Sequence, residues 1–207
     1  MYYPIQLDLR GRQCLVVGAG KVAERRILGL QGTGAHIVVV APEATPAIID
    51  MTARGEIEWI GEQYSADHLE GAFLVIAASD RREVNEAAAD DANERGLLVN
   101  VVDAPDDGNF IVPASVRQGD FLVTVSTSGR SPTLASVVQE DLEWEYGPHW
   151  AGYTELFAKL RADLKSTHGT EDARKAAVRR VIDDGGVRDS LLRGDMAEAE
   201  ALARLCL

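Results

Sequence analysis

The residues that could do chemistry begin at Gly18. The apolar run Leu15-Val16-Val17 enters Gly18-Ala19-Gly20-Lys21-Val22-Ala23, a Gly-x-Gly-x-x-Ala turn, and helical spacing starts at once after it. Such a turn suits a pyrophosphate. Gly18 permits the tight turn, Gly20 lets the backbone approach the anion, and Ala23 is small enough for the helix to pack on its strand. Free N–H groups at the helix start then bind phosphate oxygens, with Lys21 and Val22 lining the turn. A glycine-rich turn that binds nothing is the bland alternative. The strand before, the helix after and a second apolar strand one unit on favour the dinucleotide reading.

Carboxylates recur where strands end. The second strand, Ala35 to Val40, stops at Ala41-Pro42-Glu43, close to where an acidic residue about 20 positions after the glycine turn takes the adenosine ribose hydroxyls. Pro42 and Glu43 are therefore candidate cofactor residues. A carboxylate there prefers NAD to NADP because it repels a 2′-phosphate; a solvated loop glutamate is the alternative. The run Ala72 to Ala78 ends in Ser79-Asp80, and the strand Leu97 to Val102 ends in Asp103-Ala104-Pro105. Asp80 either approaches a ligand or caps the helix that follows. Asp103 is either a reactive carboxylate at the mouth of a sheet or an Asx residue shaping a turn.

The elements that must position these residues alternate strand and helix up to about Pro113. Helices are expected after Gly20, over 46–54 and over 82–95, with a short strand over 56–60. Residues 72–78 form an unbroken apolar run, the mark of a strand covered on both faces. Five strands with helical crossovers predict an α/β fold, a Rossmann-like doubly wound parallel sheet, with ligands outside the carboxyl ends of its strands. The pattern then changes. Residues 110–116 and 120–126 flank Arg117-Gln118-Gly119 and read as an antiparallel pair. Ser131-Pro132 opens a helix, and from Trp150 the signal is helical, with Leu156, Leu160 and Leu164 four apart. The expected organisation is a dinucleotide-binding domain over 1–113, a small α+β segment over 114–147, and a helical C-terminal domain over 148–207.

Composition narrows the partners. The formal charge of −12 argues against nucleic acid or an anionic membrane. No run of about 18 apolar residues suggests a membrane span, and Met1-Tyr2-Tyr3-Pro4 has no signal-peptide character. Two cysteines, Cys14 and Cys206, are no disulfide framework, so a cytoplasmic setting is the default expectation. The four histidines show no metal-ligand spacing, so no preformed metal site is expected.

Several of these runs together resemble one family. Cys14 to Arg25, Ala77-Ala78-Ser79-Asp80, Asn100-Val101-Val102-Asp103-Ala104-Pro105, Phe110-Ile111-Val112-Pro113-Ala114 and Ser126-Thr127-Ser128-Gly129-Arg130-Ser131-Pro132 follow in order. They are similar to the precorrin-2 dehydrogenase/sirohydrochlorin ferrochelatase family, the counterpart of the N-terminal half of bifunctional sirohaem synthases. The resemblance implies NAD-dependent oxidation of precorrin-2 to sirohydrochlorin, often followed by insertion of Fe²⁺ (or Co²⁺) as a substrate metal. It implies Asp103 as catalytic base, which could also hold the metal transiently. A homodimer built by the segment after the Rossmann domain is implied as well. The tetrapyrrole is a polycarboxylate, so Arg117, Arg130 and the neighbouring Ser128 are candidate substrate contacts, with ordinary surface charge as the alternative for the arginines. Thr127 stands where some family members carry a phosphorylatable serine. Two other readings stay open: a chelatase without useful NAD turnover, and a non-catalytic NAD-sensing module.

Overall fold

The structure, a computed structural model, describes residues 2–207. The chain divides into two compact units, Met1–Val112 and Pro113–Leu207. The first contains β1 (Gln13–Val17), α1 (Lys21–Leu30), β2 (His36–Val40), α2 (Pro46–Ala53), β3 (Glu58–Ile60), β4 (Ala72–Ala77), α3 (Arg82–Glu94) and β5 (Leu98–Val101). The strands form one sheet in the order β3-β2-β1-β4-β5, every pair parallel. This is the doubly wound order, and it reverses between β1 and β4.

The strand sequences explain the layering. Side chains alternate across a sheet. Cys14 and Val16 of β1, Ile37 and Val39 of β2, and Leu74 and Ile76 of β4 enter one core with Ala23, Ile27 and Ile48. Leu15, Val17, Val38, Val40, Val75 and Ala77 enter the other with Ala88, Ala89 and Ala92 of α3. Both faces are covered, so both sets are apolar and the strands read as continuous apolar runs. Burial pushes the Cys14 thiol up to about 11, so it stays protonated, an inert part of this core.

The free edge of β5 is sealed by the chain that follows it. Asn109 Oδ1 accepts from the Val99 N–H at 2.9 Å. The Asn109 amide donates to Leu97 O at 2.8 Å and to Asn93 Oδ1 at 3.3 Å. The Asn109 N–H donates to Val99 O at 2.9 Å. A side chain at Gly108 would lie 2.7 Å from the same carbonyl, so only glycine lets the segment come this close.

That contact corrects the hairpin boundaries. The expected strand over 110–116 is instead β6 (Ala114–Gln118), paired antiparallel with β7 (Phe121–Val125). Phe110 is already engaged by the sheet, its N–H on Val99 O and its carbonyl accepting from Asn100 Nδ2 at 3.0 Å. Pro113 has no N–H to give a ladder. The turn is correspondingly later. Gln118 pairs with Phe121 across Gly119 and Asp120, and Gly119 takes φ 59°, as a glycine-first two-residue hairpin requires.

The second unit continues with α4 (Pro132–Glu145), α5 (His149–Thr167), α6 (Glu171–Asp183), α7 (Gly185–Leu192) and α8 (Met196–Cys206). Ser131 caps α4, its hydroxyl accepting from the Leu134 N–H, with Pro132 at the first helical position. Leu156, Leu160 and Leu164 lie on one side of α5 and are buried with Val181, Val187 and Ala203. Asp195 caps α8 by accepting from the Glu198 N–H. Phe121, Tyr146, Trp150 and Tyr153 join the hairpin to this bundle, with ring centroids 4.7 to 5.6 Å apart along the series. Among the described residues no helix is long and apolar enough to cross a membrane.

Replacing Asn109 by Ala leaves the Val99 N–H without its partner, and an orphaned buried donor costs about 1–3 kcal/mol. Urea denaturation of Asn109→Ala is expected to show a lowered midpoint with an unchanged slope; a midpoint equal to the parent's would contradict the edge-sealing role.

Candidate active site at the carboxyl edge of the sheet

Three loops leave the sheet on the side where its strands end: Gly18–Gly20 after β1, Ser79–Arg81 after β4, and Val102–Ala104 after β5. Short backbone bonds hold them together. Gly18 N–H donates to Val40 O, Ala78 N–H to Val17 O, and Val102 N–H to Ala77 O, at 2.8 to 3.1 Å. Thr45 N–H donates to Ala19 O and ties the loop after β2 to the glycine turn.

Gly18 has φ 108°, and a side chain on it would sit 2.6 Å from Ala78 O and 2.7 Å from Ser79 N. The turn therefore packs directly on the end of β4. Gly20 is different: a Cβ there would meet nothing within 4 Å. It is the N-cap of α1, without a capping side chain, and the first intrahelical bond runs from Glu24 N–H to Gly20 O. The N–H groups of the first turn have no helical partner and face outward at the positive end of the helix. Open space at Gly20 and uncapped donors fit a pyrophosphate. Val22 lies beside this turn, half-buried, and Lys21 is exposed, its ammonium 3.0 Å from Glu24. Pro42 and Glu43 are exposed past the end of β2.

Asp80 and Asp103 stand on the neighbouring loops, both exposed. Asp80 does not cap α3: the N-cap is Arg81, and its N–H donates to the Ser79 hydroxyl at 3.2 Å. The Asp103 Oδ1 accepts from Asn85 Nδ2 at 3.3 Å. Arg82 stands close by. Its guanidinium is held above its ordinary pKa first by the hydrogen bond to Glu86, then by the charges of Asp107 and Asp103. Glycine turn, Glu43 loop, Asp80 and Asp103 thus share one end of one sheet. Arg117, Ser128 and Arg130 belong to the second unit, Arg117 exposed on β6 and the other two exposed on the turn into α4. Ser128 has φ 55°, a left-handed conformation uncommon for serine. The Thr127 hydroxyl bonds within that turn, accepting from Ser131 N–H and donating to Ser131 O, both at 3.1 Å.

Sequence reasoning passed over two residues. Asn85 is buried at 1% exposure in the first turn of α3 and joins two of the loops. Asn100 is 4% exposed on β5, and its Oδ1 is buried without a partner, three residues before Asp103. For Asn100 an amide among apolar strand residues was the available signal, because such a group needs a specific partner; Asn85, in a polar helix opening, offered none. Among the described residues no group of three His, Cys, Asp or Glu is arranged to hold a metal ion.

Strand order, glycine turn and uncapped helix start define a dinucleotide-binding α/β domain. The family model NAD_binding_7, described as "Putative NAD(P)-binding", matches residues 5–114, and the chain belongs to that family. Curated relatives include "Siroheme synthase 3" of Aeromonas hydrophila subsp. hydrophila, 35% identical over 202 residues, 98% of this chain and 43% of that protein. "Siroheme synthase" of Chromobacterium violaceum is 36% identical over 200 residues, 97% of this chain and 42% of the relative. The chain thus spans less than half the length of these relatives. Among solved structures, "SirC, precorrin-2 dehydrogenase" superposes with a TM-score of 0.75 at 29% identity, covering 99% of this chain and 100% of that one.

Aspartate at Gly20 would fill the space beside the backbone with bulk and negative charge. Gly20→Asp is expected to abolish NAD binding while keeping the parent's thermal midpoint, and calorimetric titration with an unaltered Kd would refute the pyrophosphate assignment.

Proposed function

We propose that this protein is a precorrin-2 dehydrogenase, oxidising precorrin-2 to sirohydrochlorin with NAD, in the cytoplasm and on the way to sirohaem. The observation that carries the reading is the placement of Asp103 and the glycine turn at one end of one sheet. Likeness to a precorrin-2 dehydrogenase over nearly the whole of both chains supports it.

The reaction removes a hydride and a proton from the reduced macrocycle. NAD, when bound, supplies the hydride acceptor. The chain supplies the rest. Backbone N–H groups at the start of α1 hold the pyrophosphate, with Gly20 giving it room and Lys21 and Val22 beside it. Pro42 and Glu43 meet the adenosine ribose, where the carboxylate favours NAD over NADP. Asp80 borders the cofactor, and Asp103 takes the proton as general base. Arg117, Arg130 and Ser128 contact the substrate's carboxylates. A pendant carboxylate such as Asp103 is also suited to accept pyrrole N–H protons should Fe²⁺ or Co²⁺ be inserted as a second substrate.

The same reading makes the protein a homodimer. α4 turns Ala135, Val138 and Leu142 one way and Leu134, Val137 and Trp144 the other, and these last three are exposed, Trp144 at 91%. An apolar stripe of this kind fits a second copy. Val137→Asp is expected to shift the mass in light scattering from dimer to monomer; a parent chain that is itself monomeric at micromolar concentration would remove the dimer.

The test of activity is an anaerobic, metal-chelated assay of precorrin-2 with and without NAD, following sirohydrochlorin by absorbance. NAD-dependent product is expected, and subsequent Fe²⁺ or Co²⁺ addition tests chelation separately. Asp103→Asn is expected to lower kcat by about 10²–10⁴ with NAD affinity retained. Turnover at the parent's rate would show that another group takes the proton.

A further inference from the structure

We infer that Asn85 is a positioning residue, aiming the Asp103 carboxylate by a hydrogen bond while it clamps the Ser79 loop. This rests on the proposed role of Asp103 as base.

Asn85 belongs to the first turn of α3, where Arg82, Glu83 and Glu86 are all exposed and paired with one another or with Arg81. Asn85 alone among them is turned inward. A buried amide costs several kcal/mol unless its polar atoms are bonded, and here every one is used. Oδ1 accepts from Ser79 N–H at 2.9 Å, and Nδ2 donates to Ser79 O at 2.9 Å. The second Nδ2 hydrogen goes to Asp103 Oδ1 at 3.3 Å. Only a primary amide offers one acceptor and two donors in this fork. A hydroxyl has a single donor, and a carboxylate has none and would repel Asp103.

Asp103 otherwise projects from an exposed loop, and no other side chain of the described residues donates a hydrogen bond to it. Arg82 is near, but its Nε is committed to Glu86 at 2.6 Å. The bond from Asn85 therefore sets the rotation of the carboxylate. It occupies Oδ1 and leaves Oδ2 free to accept a proton. Because the same amide holds Ser79, whose N–H lies against Gly18, the carboxylate is oriented relative to the dinucleotide turn rather than to its own loop alone.

A loop staple and a positioning residue predict different couplings, which a double-mutant cycle separates. The full chain would carry Asn85→Ala, Asp103→Asn and both together. Asn85→Asp serves as a second, isosteric variant that keeps the acceptor for Ser79 N–H, removes the donors to Ser79 O and Asp103, and adds a charge that repels Asp103. Precorrin-2 turnover is read at saturating NAD, with the NAD Kd of each variant measured by calorimetry. Misaiming a catalytic group costs up to roughly 100-fold, so each Asn85 variant is expected to lose about 10- to 100-fold in kcat. Neither should lose anything further in the Asp103→Asn background. Losses that multiply in the double variant would make Asn85 a structural staple only and overturn the inference. Parent-like kcat in Asp103→Asn alone would overturn the base assignment itself, a result visible before Asn85 is touched.

Discussion

The first unit is organised by the contact between the end of β1 and the end of β4. Strand order reverses there, so α1 leaves β1 toward one face of the sheet and α3 leaves β4 toward the other, opening a crevice between them. At this point the turn after β1 folds flat onto the end of β4. At Gly18 a single methyl group would lie 2.6 Å from Ala78 O, well inside van der Waals contact, and φ 108° is closed to ordinary side chains. Nothing else in the turn is as constrained. Gly20 faces open space, so nothing in the packing beneath calls for its lack of a side chain.

Around that crevice the loops are fixed by amides. Asn85 bridges Ser79 and Asp103, Asn100 holds Phe110, and Asn109 with Asn93 fastens residues 107–110 along β5. A loop that covers a sheet edge must satisfy backbone groups without a ladder of its own, and a side-chain amide offers both donor and acceptor. Apolar packing could bury these segments, but it would leave Val99 N–H and Ser79 N–H without partners. The acidic loop at 103–107 is thereby held by its flanks, with its carboxylates left outside.

Much of the first unit was legible because its strands are covered on both faces: Val38-Val39-Val40 and Leu74-Val75-Ile76 have nothing polar to mislead. Gly32, Gly55 and Gly96, each at positive φ just past α1, α2 and α3, end those helices. What failed was local chemistry without a period. Phe110-Ile111-Val112 has the composition of a strand, yet its hydrogen bonds go to β5 and Asn100, and Pro113 ends any ladder. The next strand accordingly begins at Ala114. Asn85 was silent for a related reason. In a helix opening Arg-Glu-Val-Asn-Glu, an asparagine looks like one more solvated residue, and only burial reveals it. The site carboxylates could be placed at strand ends; their partners could not.

Charge is the last constraint, and at first sight it opposes the proposed substrate. A chain with formal charge −12 should repel a polycarboxylate. Screening limits how far that repulsion reaches. At physiological ionic strength charges are screened over about 8 Å, so the distant acidic surface contributes little at the mouth of the sheet. There the balance is local and still acidic: Asp80, Asp103, Asp106 and Asp107 surround Arg81 and Arg82, which are themselves paired with Glu83 and Glu86. Arg82 is held firmly cationic by Glu86, and it lies within the influence of both Asp107 and Asp103. A substrate carboxylate arriving near Asp103, as the proposed function requires, would compete with Glu86 for the Arg82 guanidinium. Among the described residues Asp103 Oδ2 has no side-chain donor, because the amide of Asn85, not the guanidinium, is bonded to Asp103, and it is bonded to Oδ1. On the proposed function, this arrangement leaves the charged groups of the loop cluster to the substrate and gives the base a neutral donor.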